Sequence, residues 1–147
     1  MSRISKTAAS LWVTGDTLDP IEITRLIGKK PTSSHLKGEK VPLRNGKGSR
    51  IARFGAWGVK TERVTPGNLD AQIEKLLEGT VTDTSVWLQL SSEFHVRVFC
   101  GLFMRRFNEG LMISRSTMML LGARGIALDL DIYEAQVSED EAETKGC

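Results

Sequence analysis

Near the end of the chain Asp129, Asp131 and Tyr133 stand at alternate positions. On an extended strand, alternate residues share a face and lie about 7 Å apart. At that spacing two carboxylates can share a cation or divide the roles of general acid and general base, with the phenol beside them. The plainer alternative is a solvated strand face whose acids pair with nearby arginines such as Arg124. A second constellation is cationic. Lys37, Lys40, Arg44, Lys47, Arg50 and Arg53 face the single acid Glu39, with Gly38, Gly46 and Gly48 between them. Such a segment can wrap an acidic surface, a nucleic acid or a phosphorylated ligand. Trp57, bracketed by Gly55 and Gly58 just beyond it, would offer a stacking platform if exposed. Gly46-Lys47-Gly48-Ser49 lacks the earlier glycine of a phosphate-binding loop, so nucleoside triphosphate chemistry of that kind is not indicated. The plainer reading here is a solvated loop, or one screened by the chain's own acidic end.

Nucleophilic catalysis finds little support. His35 and His95 are the two histidines, and neither has a serine, cysteine or acid at a recognised catalytic spacing. Cys100 sits between Phe99 and Gly101 in an apolar run, which predicts a buried, unreactive thiol. With Cys147 as the one other cysteine there is neither a disulfide framework nor metal-ligand spacing. No cofactor and no metal is therefore expected, and the cysteine usage fits a reducing compartment.

The elements that must position these residues are legible in part. The chain has 147 residues, 40% apolar and 26% charged, the balance of a protein that folds around one core, and its net charge of +2 does not by itself advertise a nucleic-acid partner. The first ten residues carry no signal-peptide core and nowhere do about 18 apolar residues run together, so a cytoplasmic protein without a membrane span is expected. Residues 1–8 are expected to be a flexible N-terminus and 9–135 a single domain, within which 38–52 form a basic, glycine-containing loop. Residues 136–147, with Glu139, Asp140, Glu141 and Glu143, are expected to be a disordered acidic tail.

Within that domain Leu11-Trp12-Val13 predicts a strand that turns at Thr14-Gly15-Asp16. Asp19 is placed as an N-cap, Pro20 as the first helical residue and Glu22 as a capping-box partner, with Ile23, Leu26 and Ile27 forming a stripe that stops at Gly28. Phe54 to Thr61 predicts a strand thinned by its glycines. Leu69, Ile73, Leu76 and Leu77 predict a second helix ending at Gly79. From Asp83 to Ser92 the apolar residues satisfy both a strand and a helix. Phe94 to Phe103 predicts a central strand, Leu111 to Ser114 a short partner for it, and Thr117 to Arg124 a third amphipathic helix. In Ile126 to Tyr133, strict alternation predicts a strand with Ile126, Leu128, Leu130 and Ile132 toward the core and Ala127, Asp129, Asp131 and Tyr133 toward water. Trp12 and Trp87 are expected to be core anchors.

Leu11 to Asp16 with Leu18-Asp19-Pro20, Ile27 to Thr32, Lys37-Gly38, Val86-Trp87, Phe99 to Phe103, Asn108-Glu109-Gly110 and Leu128 to Tyr133, in that order and spacing, resemble a bacterial family catalogued as domain of unknown function 4279. The resemblance implies a compact α+β domain and a helix for Asp83 to Ser92, and it implies no reaction.

The fold expected is therefore α+β: one compact domain with a mixed, mainly antiparallel sheet and helices on one face. A core without a catalytic constellation favours binding over catalysis. The leading expectation is a non-catalytic bacterial module that binds another protein, as an immunity or antagonist protein does. The alternatives are a binder of nucleic acid or a phosphorylated ligand through 37–53, and an enzyme using the carboxylate pair of the last strand.

Overall fold

A computed structural model describes residues 2–134. The expected acidic tail, 136–147, lies outside them. Nine strands and four helices follow one another: β1 Ser2–Arg3, β2 Lys6–Gly15, α1 Pro20–Ile27, β3 Ser33–His35, β4 Lys40–Pro42, β5 Ser49–Ile51, β6 Gly55–Lys60, α2 Leu69–Leu77, α3 Thr84–Glu93, β7 His95–Phe103, β8 Glu109–Gly110, α4 Arg115–Ala123 and β9 Ala127–Tyr133. Five strands form the main sheet in the order β3-β6-β2-β7-β9. All its pairs are antiparallel except β7 with β9, which are parallel. The class is α+β, as the sequence predicts.

Each helix starts on a side chain that satisfies a first-turn amide. Asp19 accepts from the Ile21 amide at 3.1 Å, Asn68 from Ala71 at 3.1 Å, Asp83 from Ser85 at 2.9 Å and Ser114 from Thr117 at 3.2 Å. Pro20 opens α1, and Gly28 closes it in the left-handed conformation at φ 80°. The ambiguous segment is helical, with Trp87 and Leu90 as its buried face.

The helices share one side of the sheet. Leu11, Val13, Trp57, Val59, Val96, Val98, Cys100 and Leu102 point there and join Ile23, Ile27, Ile73, Leu76, Trp87, Leu90 and Leu121 in one core. Each fully buried aliphatic side chain contributes about 1.5–3 kcal/mol of transfer free energy. Polar pins fix the registry. The Thr7 hydroxyl donates to Gln72 Oε1 at 2.6 Å, Gln72 Nε2 donates to the Thr7 carbonyl at 3.1 Å, and the Trp57 indole donates to Thr24 Oγ1 at 3.0 Å. Among the described residues, no helix is long and apolar enough to cross a membrane.

Four expectations are corrected. Residues 2–8 are not a free terminus: β2 begins at Lys6, Thr7 and Ile4 are buried, and β1 pairs in parallel with β8. One apolar anchor, Ile4, and one hydrogen-bonded hydroxyl, Thr7, are too few to register as a pattern. The partner expected at Leu111 to Ser114 is instead Glu109–Gly110, and it joins β1, not β7. The basic segment 38–52 is not loop throughout, because β4 and β5 pair as a hairpin around Asn45-Gly46, where Gly46 adopts φ 71° and the Lys47 amide donates to Asn45 Oδ1 at 2.9 Å. The apolar row of β9 is buried only at its start. Ile126 is in the core and Leu128 packs against it, but Leu130 and Ile132 are 42% and 60% exposed. As the outermost strand β9 has a neighbour on one side alone, and α4 packs on its first half.

Candidate functional site

Because successive residues of a strand alternate faces, the register fixes what lies on the side away from the helices. Across β6, β2, β7 and β9 it brings together Gly58, Trp12, Arg97 and Ala127, then Lys60, Ser10, Phe99 and Asp129, then Ala8, Gly101 and Asp131, and finally Lys6, Phe103 and Tyr133. Among the described residues, no helix packs on this face. Small residues form its floor and aromatic rings lie over them. The Trp12 ring occupies the place where a side chain at position 58 would begin, and the Phe103 and Tyr133 rings stack with centroids 4.7 Å apart and planes 5° from parallel.

Cations cover these rings. The Lys60 ammonium stands 5.6 Å from the Trp12 ring centre, Arg97 5.7 Å from Phe99, and Arg63 and Lys6 at 4.7 and 5.9 Å from Phe103. Each such contact is worth about 0.5–1 kcal/mol where water reaches it. Their larger effect is to hold positive charge above an apolar floor.

The β4–β5 hairpin is an arm that leaves the sheet after β3, at one edge, and the charge of Arg44 at its tip lowers the Tyr133 phenol on β9, at the other edge. The chain from His35 to Arg44, at about 3.3 Å per residue, is long enough to cross the four inter-strand spacings of about 4.8 Å. Lys40, Arg44, Lys47, Arg50 and Arg53 are all exposed, and none forms an ion pair among the described residues. Lys37 pairs with Asp16 at 3.6 Å. Of the cations read from the sequence, Lys40, Arg44, Lys47 and Arg50 thus lie on the hairpin, while Lys37 and Arg53 flank it.

Trp57 does not belong to it. Its ring is fully buried on the helix side, where its indole bonds Thr24. Of the glycines beside it, Gly58 lies on the opposite face, beneath the Trp12 ring, and Gly55 packs against Leu18.

Asp129, Asp131 and Tyr133 do share a face, as predicted, and each acid is engaged. Asp129 accepts from Arg97 at 2.6 Å, and Asp131 accepts the Tyr133 hydroxyl at 2.6 Å. That bond to Asp131 raises the Tyr133 phenol above its usual range, burial and the Asp131 charge add to the rise, and Arg44 and Arg63 oppose it. Among the described residues no three histidine, cysteine or acidic side chains gather as a metal would need. Burial, with a lesser push from Asp129, raises the Cys100 thiol to about 12. It is too basic to serve as a nucleophile near neutrality. His95 is exposed at the start of β7, and His35 is half-buried on β3. Sequence reading missed Lys6, Trp12, Lys60, Arg63, Arg97, Phe99 and Phe103 as one surface. The signal was the alternation of Arg97, Phe99, Gly101 and Phe103, opposite in phase to the buried row.

The described residues thus form an α+β sheet with helices on one side and a cationic aromatic face on the other. The family model for the domain of unknown function DUF4279 matches residues 5–135, and the chain belongs to that family. No curated protein and no solved structure matches it.

Proposed function

We propose that this protein is a non-catalytic binding module of a bacterial cytoplasm, and that its uncovered sheet face and basic arm together hold an acidic surface of another protein. One observation carries the reading: the cations Lys6, Lys60, Arg63 and Arg97 stand over aromatic rings on a sheet face that no helix among the described residues covers, and the arm adds exposed charges. Aromatic and arginine side chains on a rigid scaffold are the usual energetic centres of protein interfaces. The two strand acids are already committed to Arg97 and Tyr133, so they neither assemble a metal site nor act as a free acid and base pair. An immunity or antagonist role is one form such binding takes, and the buried free thiol of Cys100 fits the compartment.

The test is affinity capture from lysate of the source cells, with the wild type compared with a variant carrying Arg44→Glu and Arg50→Glu. Both positions are exposed, so the variant should fold. A protein held by the wild type, released by salt and not held by the variant supports the reading. Equal retention by both contradicts it.

A further inference from the structure

We infer that, in the free protein, the uncovered sheet face and the arm receive the chain's own acidic segment, Glu139 to Glu143, which a partner must displace. The receiving side carries an excess of positive charge. Lys6 and Arg63 stand over the Phe103 ring and Lys60 over Trp12, none of them in an ion pair among the described residues. Arg44, Lys47 and Arg50 are exposed on the arm and likewise unpaired. The acids nearby, Asp129, Asp131 and Glu134, are fewer than these cations, and Asp129 is already held by Arg97 at 2.6 Å.

The same chain supplies the complement. Glu139, Asp140, Glu141 and Glu143 follow β9, with Lys145 as the one basic residue among or after them. The chain leaves the sheet at Tyr133, and it leaves among the cations. The Tyr133 ring stacks on Phe103, which Arg63 and Lys6 cover, and the charges of Arg44 and Arg63 both act on its phenol. Glu139 and Glu143 come six and ten residues after Tyr133. At about 3.3 Å per residue that is a reach of about 20–33 Å. By the strand register Lys60 lies three strands across and four residues along from Tyr133, a span of about 20 Å. The acids therefore reach every unpaired cation of the face. Isolated exposed ion pairs are weak, but a short tether holds such a segment at about millimolar effective concentration, and several charges act at once. A macromolecule that offers acids alone loses to this internal competitor; one that also engages the aromatic rings displaces it. That regulation rests on the acidic partner proposed above, whereas the docking itself needs no partner and is tested without one.

Cys147 follows the acids and should take a nitroxide label at neutral pH, while Cys100, buried and raised to about 12, should not. Paramagnetic broadening of backbone amide signals then reports where the label resides. At low salt the amides of Lys60, on the face, and Gly48, on the arm, should lose about half their intensity or more, and that of Ile21, exposed on α1, should keep it. High salt should restore both signals, because it screens exposed charges. Glu139→Gln, Asp140→Asn, Glu141→Gln and Glu143→Gln combined should restore both at low salt, and Arg44→Glu with Arg50→Glu should restore that of Gly48. An unchanged Ile21 chemical shift checks that each variant is folded. Full intensity at Lys60 and Gly48 in the wild type overturns the inference, and so does a loss equal in the wild type and the neutralised variant, which tethering alone would produce. Failure here with a protein still captured from lysate leaves the face its partner and removes only the internal competitor. Docking seen here with no protein captured keeps the competitor and refutes the partner.

Discussion

Trp12 lies flat across Gly58 on the neighbouring strand, so close that a Cβ at position 58 would stand 2.3 Å from the indole ring. The floor of the open face is set by that contact, and the ring cannot keep its place if the glycine gains a side chain. Gly58→Ala should therefore cost about 1–3 kcal/mol, the range for forced overpacking, measured as a lowered urea midpoint with unchanged slope. An unchanged midpoint would mean that the ring lies elsewhere.

The polar pin between β2 and α2 makes a second prediction. Gln72→Ala removes the acceptor of the buried Thr7 hydroxyl proton and should cost about 1–3 kcal/mol. Thr7→Val removes the same bond and also the acceptor of the Asn68 amide, so it should cost at least as much, and the two losses should be less than additive. A double-mutant cycle on equilibrium unfolding reads the coupling directly.

Asp70 links α2 to the start of α4, accepting from the Ser114 amide at 3.0 Å. Burial disfavours its charge, but bonds from Thr117 and Ser114 outweigh burial and hold its carboxyl below the usual range. Its folded pKa is thus lower than its unfolded one, near 3.9. The stabilisation it gives is complete above that unfolded value and is lost as the pH falls through the folded one. Asp70→Ala should be less stable than the wild type at pH 7, and the gap should close as the pH drops below about 4, in chemical unfolding at a series of pH values.

Cys100 should be inert in the folded protein, its thiol raised to about 12. In a Cys147→Ser background, an aromatic disulfide reagent at pH 8 should release no thiolate colour until denaturant is added. Prompt reaction in native buffer would show that the strand opens.

What could be read from residues was mostly local. The Asp19-Pro20 start and Gly28 stop of α1 follow from rules that act within one turn of chain, and the alternation in β9 placed Asp129, Asp131 and Tyr133 on one face correctly. Alternation does not say whether a neighbour covers a face, and so Leu130 and Ile132 were assigned to a core that α4 does not reach. The arm was a charge count before it was a hairpin. Asn45-Gly46 between two short runs carried the turn signal, yet the crossing of the sheet toward Tyr133 depends on pairings between distant segments. The open face was hidden for the same reason, since its rings and cations come from β2, β6, β7 and the turn after β6.

The central claim is that this face and arm are where a partner sits, and photocrosslinking in the source cells tests it most directly. A photoreactive amino acid placed at Lys60, on the face, or at Arg44, on the arm, should capture one and the same protein. At Ile21, equally solvent-exposed but on α1, it should not. Capture of that protein from Ile21 alone, or from none of the three positions, would contradict the account.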